Sequence, residues 1–276
     1  MDEITFPGGD GLPLYAAAVG SGQVVVLLHA GGPDHHSMVP LAERLGDRFR
    51  VVLPDLRGYG RSVCTDPARH TWARYTDDVV RLLDHLGAEG AALAGAGLGS
   101  TVALRAALTH PDRVRAVVLI GVEDIEDDAA KEAEIAFLDA FAARVAAEGI
   151  EAGWEPILAG FPPVVGAMVR DAIPRSDPAS IVAAAAIGHD RSFRDIGELA
   201  AITAPTLVFP GTDARHPSAL AAEVAATVRD GRLADTAIDD TLHTAEDLAR
   251  VIAPAVRAFL TATASGPDPA PDTGPV

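Results

Sequence analysis

The stretch LAGAGLGSTVALRAALTH, Leu93–His110, reads as a strand, a glycine-rich turn and a helix run together without a linker. The turn is Gly95-Ala96-Gly97-Leu98-Gly99, and its smallness lets a strand and the helix that follows it crowd together. Outward from it the same rhythm repeats. Upstream, QVVVLLH (Gln23–His29) is the continuous apolar run of a strand buried on both faces; a helix over Met38–Leu45 and a strand over Phe49–Pro54 follow. Trp72–Leu86 carries an apolar stripe at helical spacing, and Ala91–Gly95 is the strand that feeds the turn. Downstream come helix Ser100–Thr109 and strand Val114–Gly121. Short strands in ITF and LPLYAAAV flank a turn at Gly8–Gly11. This alternation specifies an α/β fold with a mostly parallel sheet and helices on both faces.

From residue 123 to about 200 the rhythm stops. The segment shows helical patterns such as AAKEAEIAFLDAFAARVAAEG and Pro-marked pieces, without a convincing strand. Strand–helix order resumes with Ala204–Gly211, a helix over Ser218–Val228, a strand near Arg232–Ile238 and a last helix over Ala245–Leu260. The expected organisation is a core of 1–122 and 201–262, an inserted helical cap over 123–200, and a disordered Pro-rich tail over 263–276.

Composition bounds the function. The 276 residues are 49% hydrophobic and 22% charged, a globular balance, and the net charge of −17 with no basic stripe excludes a nucleic-acid partner. Cys64 is the only cysteine, which excludes an intrachain disulfide and a thiolate cluster. The acidic start MDEITFPGGDG lacks the apolar run of a signal peptide, and no segment approaches the roughly 20 apolar residues that span a bilayer. A cytoplasmic protein without a membrane partner is expected, its oligomeric state open.

The chain resembles the α/β-hydrolase superfamily over nearly all of residues 1–262. The pieces that carry the likeness come in family order: LLHAGG (Leu27–Gly32), DLRGYGRS (Asp55–Ser62), the Gly95–Gly99 turn, PGTDARHP (Pro210–Pro217) and TLHTAEDLA (Thr241–Ala249). The resemblance puts a nucleophile at the centre of G-x-Nu-x-G, on a strained turn that projects it into the site. Here that position is Gly97. Ser100, three residues on, is the alternative nucleophile if the turn is read in another register. The resemblance also implies a general base at His243, oriented by Asp213 or, as a fallback, by Asp124. It implies an oxyanion hole from the backbone N–H groups of Leu98 and of Ala30 or Gly31.

The Asp34-His35-His36 run lacks a partner cluster at ligand spacing, so neither a metal nor any other cofactor is expected; His35 or His36 is expected to touch substrate at the pocket mouth. His189 and Arg191 read as the solvated end of a helix, or as groups near a ligand; His110 and His216, each before a proline, read as turn residues.

Without a nucleophile, ordinary serine-hydrolase chemistry loses about 10⁶ in rate, on the subtilisin precedent. The expected protein is therefore an enzyme acting on a small, mostly apolar molecule without a covalent intermediate, with a His–Asp base and a backbone oxyanion hole. Non-covalent hydrolysis, lyase cleavage, cyclisation and cofactor-free oxygenation stay open. A non-catalytic small-molecule binder and a nucleophile-to-glycine knockout of a serine esterase are the alternatives.

Overall fold

The computed structural model describes residues 1–125 and 127–264. Eight strands form one sheet in the order β1-β2-β4-β3-β5-β6-β7-β8. They are β1 (Asp2–Pro7), β2 (Pro13–Val19), β3 (Val24–Leu28), β4 (Arg50–Pro54), β5 (Ala91–Ala96), β6 (Val114–Ile120), β7 (Thr206–Phe209) and β8 (Gly231–Leu233). The β1–β2 and β2–β4 pairings are antiparallel; every other pairing is parallel. The apolar runs become strands because a parallel strand packs side chains on both faces. Val25 and Leu27 point to one core, and Val26 and Leu28 to the other.

On one face lie α1 (Val39–Leu45) and α9 (Ala245–Ala264), on the other α2 (Trp72–His85), α3 (Leu98–Thr109) and α8 (Ser218–Thr227). Between β6 and β7 the described residues form only helices: α4 (Asp128–Glu148), α5 (Ile150–Leu158), α6 (Pro163–Ala172), α7 (Pro178–Ala184) and short 3-10 turns. Among the described residues no helix is long and apolar enough to cross a membrane. The tail expected from residue 263 is shorter at its start: Thr263 and Ala264 still belong to α9, whose last turn packs Phe259 and Leu260 onto the core, and the remainder lies outside the described residues.

The β5–α3 turn has the conformation that its sequence demands. A side chain at Gly95 would place its Cβ 2.1 Å from the Gly99 carbonyl oxygen, and one at Gly99 would sit 2.4 Å from that of Leu28. Strand and helix touch backbone to backbone there, so only glycine fits. Gly97 caps α3 with φ 49° and ψ −117°, the left-handed side of backbone space where any side chain is strained. Ser100 lies fully buried within α3; its hydroxyl donates to Gly95 O at 2.7 Å and accepts from the Ile120 amide at 3.3 Å, which makes it a structural link.

Candidate functional site

Gly97 opens onto a cavity of about 140 Å³ between the carboxyl ends of the central strands and the helical insertion. Helices α4 to α7 contribute apolar walls, among them Phe137, Phe141, Trp154, Val164, Met168 and Ile181. The floor is Ala30, Gly31, Gly97 and Leu98. The Leu98 amide heads α3 and so has no acceptor within its own helix.

The polar groups converge on one spot. A Cβ added to Gly97 would stand 3.0 Å from Glu123 Oε1, 3.3 Å from the Ala30 methyl and 3.4 Å from His216 Nε2. The imidazole that borders the apex is therefore His216, although its place before a proline marks it in the sequence only as a turn residue. Asp213 explains its placement. Its Oδ1 accepts the amides of Arg215 at 2.9 Å and His216 at 3.0 Å, which folds the loop back on itself. The His216 ring then lies over the same carboxylate, with Nδ1 donating at 3.1 Å. On its far side Nε2 lies 3.4 Å from Glu123 Oε2.

His243 is elsewhere. Thr244 and Asp247 form a reciprocal cap on α9: the Asp247 amide donates to Thr244 Oγ1 at 3.1 Å, and the Thr244 amide to Asp247 Oδ2 at 3.1 Å. His243 precedes that cap and is exposed, while Leu242 takes the buried position beside it. Asp213 keeps its site position, but its histidine is His216. Asp124 accepts from Thr101 Oγ1 at 3.1 Å and lies 3.6 Å from Arg215. Its φ of 63° is the only positive value among the described non-glycine residues, at the point where the insertion leaves the core.

His35 and His36 also miss the cavity. His35 is buried against Asp55, to which Nδ1 donates at 2.7 Å, and His36 Nδ1 lies 3.1 Å from Asp34. The ligand atoms of Asp34, His35 and His36 fall within 4.8 Å of one another, as metal ligands would. Arg175 ion-pairs with Asp34 at 2.7 Å, and Asp55 accepts from His35. His189 and Arg191 pair with Asp139 and Asp128 on the outside of the insertion, away from the cavity walls, and His110 caps the end of α3.

Charge balance at the apex sets the chemistry. Burial is the largest influence on His216 and favours the neutral ring, but Asp213 and Glu123 outweigh it and hold its pKa up at about 9. The ring is an imidazolium at neutral pH. Glu123, 6% exposed, would be raised by burial alone; Arg215 and His216 instead hold it below the usual carboxylate range. Arg215 binds Glu123 through Nε and Glu134 through both terminal nitrogens at 2.8 Å. A carboxylate and an imidazolium, 3.4 Å apart, thus both border the space where a nucleophile would project.

Comparison with known proteins adds relatives to this geometry. A family model described as alpha/beta hydrolase fold matches residues 23–159. The protein named "Putative carbamate hydrolase RutD" in Caulobacter sp. (strain K31) is 43% identical over 101 residues, 36% of this chain and 38% of that protein. "Epoxide hydrolase 3" of Siraitia grosvenorii is 35% identical over 138 residues, 48% of this chain and 41% of that protein. The matched stretch spans about two fifths of the length of these curated relatives. Among solved structures, a thermophilic esterase from Thermogutta terrifontis superposes with a TM-score of 0.76 at 27% identity, over 95% of this chain and 99% of that one.

Proposed function

Because the chain belongs to the α/β-hydrolase superfamily, we propose that it is an enzyme that transforms a small, mostly apolar organic molecule without a covalent nucleophile. A substrate oxygen sits above Gly97, where the His216 imidazolium donates Nε2–H to it. The Leu98 amide, with that of Ala30 or Gly31, supports the same oxygen as charge develops on it. Glu123, ionised beside the same spot, accepts a hydrogen bond from the substrate or from an attacking water and orients it. His216, and not His243, holds the catalytic position, and it acts as a charged donor. The observation that carries this reading is the approach of Glu123 and His216 to within 3.0 and 3.4 Å of one point. The helices of the insertion act as a cap that sizes the substrate and excludes water from it.

The names of the relatives favour hydrolysis among the open reactions, so the first substrates to test are carbamates, epoxides and carboxylic esters. For whichever is turned over, kcat/KM is expected to hold level through neutral pH and fall above about 9 as His216 loses its proton. His216→Gln is expected to lose 10²–10⁴-fold. A rate that climbs toward pH 9, or a His216→Gln protein at full activity, overturns the charged-donor role. A compound that binds the cavity and is never transformed gives the site to a receptor instead.

A further inference from the structure

The cavity holds two hydrogen-bond donors that the proposed chemistry does not use. The Nε1–H of Trp154, on α5, is buried and has no acceptor among the described residues. Its ring packs flat enough on the loop after β3 that a Cβ on Gly32 would fall 2.6 Å from Cζ2 and 3.2 Å from Cε2, so glycine there makes room for the indole. The Phe141 ring meets the indole edge-on at 5.0 Å and fixes its tilt. Tyr59 lines the same cavity, and its hydroxyl has no hydrogen-bond partner among the described residues; it lies 3.6 Å from where a Cβ on Gly31 would be. Its ring is held edge-on against His29, whose Nε2 accepts the Leu56 amide at 2.9 Å.

A buried donor without an acceptor, as at Trp154, costs free energy that phenylalanine there would avoid. The Trp154 indole and the Tyr59 hydroxyl border consecutive residues, Gly32 and Gly31, on one wall of the cavity, apart from the charged groups at its apex. We infer that Tyr59 and Trp154 form a second subsite that reads a neutral oxygen acceptor, a carbonyl or ether oxygen, on the substrate. Neutrality follows from the surroundings. Burial first, and then the carboxylates of Glu123 and Asp124, push the Tyr59 phenol well above its usual pKa. The phenol therefore stays a donor throughout the physiological range, and the same carboxylates repel an anion.

This inference rests on the cavity being the substrate site, and its test does not require turnover. The probes are acetophenone and ethylbenzene, alike in shape and differing in one carbonyl oxygen, with dissociation constants read by ligand-observed NMR on the full chain. Tyr59→Phe and Trp154→Phe keep the rings and remove the donors. Each is expected to lower the preference for the ketone about fivefold, the ordinary worth of a neutral hydrogen bond, and to leave ethylbenzene binding unchanged. The Trp154 indole ¹H resonance is expected to move downfield with acetophenone and not with ethylbenzene. An unchanged ketone preference in both variants, or an indole resonance that answers both probes alike, overturns the inference. Should the preference vanish in His216→Gln alone, the apex reads the oxygen: the second subsite falls while the charged-donor role of His216 stands.

Discussion

Raising the pH of the intact protein from 6.5 to 10 should remove about 3 kcal/mol of folding stability through one residue. His216 has its pKa held at about 9, against an ordinary 6.5, because Asp213 and Glu123 outweigh the burial that opposes its charge. Each tenfold change in proton affinity is worth 1.36 kcal/mol, which gives about 3 kcal/mol for the ring. A raised histidine pKa means that the folded state binds the proton more tightly than the unfolded chain does. Its contribution is therefore fully present below about 6.5 and is lost as the pH rises through about 9. Glu123 and Asp213, both held below the usual carboxylate range, behave oppositely: their contribution is present above that range and disappears as the medium is acidified. Stability should peak near pH 5–6.5. Urea unfolding at half-unit pH steps measures this, with His216→Gln as the reference, since glutamine cannot take up the proton. The variant should start less stable and show no histidine-dependent decline from 6.5 to 9. A flat wild-type profile, or the same decline in both proteins, would refute the charge assignment.

Three further variants test the same geometry. Gly97→Ser should gain little activity toward p-nitrophenyl butyrate at pH 7, because a protonated His216 cannot take the serine proton, and nitrophenolate release should rise only toward pH 9 and above; high esterase activity at pH 7 would show that glycine merely replaced a working nucleophile. His243→Ala should leave the urea midpoint and the rate unchanged, whereas Asp247→Ala should lower the urea midpoint through the lost cap.

The parallel sheet was legible because its strands are written as unbroken apolar runs, and VVVLL or VRAVVLI has few other ways to be buried. The apex was legible too, since Gly95 and Gly99 are small for a steric reason that the sequence displays. The histidine was not. Its placement depends on Asp213 capturing two amides of its own loop, a local hydrogen-bond pattern whose only trace is an Asp followed three residues later by His. At His243 the opposite lesson holds: Thr244 and Asp247 already spelled a helix cap, which fixes the preceding residue outside the helix, and there the side chain is exposed. The placement of His35 depends on Asp55, twenty residues away, and pairing at that range has no local signature. Tyr59 and Trp154 stand apart only by what they lack, an acceptor, and no sequence pattern records that.

On the proposed mechanism, the glycine and the two carboxylates around His216 belong together. A serine at the apex would need a neutral imidazole beside it, poised near the working pH so that it can take the hydroxyl proton. One carboxylate on the far nitrogen serves that purpose by orienting the ring and supporting the charge that appears later. A second carboxylate on the near nitrogen defeats it, because it fixes the proton before the reaction begins. Here Glu123 provides that second carboxylate, 3.4 Å from Nε2, and Arg215 keeps Glu123 ionised. A hydroxyl at residue 97 would then stand beside a base that cannot act, in a backbone conformation that strains any side chain. Glycine removes the strain and leaves the imidazolium open to whatever oxygen the substrate brings. Replacing Glu123 by Gln tests this coupling directly: with one carboxylate gone, the His216 pKa should drop from about 9 toward its ordinary value, measurable from the pH dependence of its ring ¹³C resonance. In that background Gly97→Ser should gain ester hydrolysis at neutral pH that Gly97→Ser alone lacks. If the double variant is no better than the single one, the charge on His216 is not what separates this site from a working serine hydrolase.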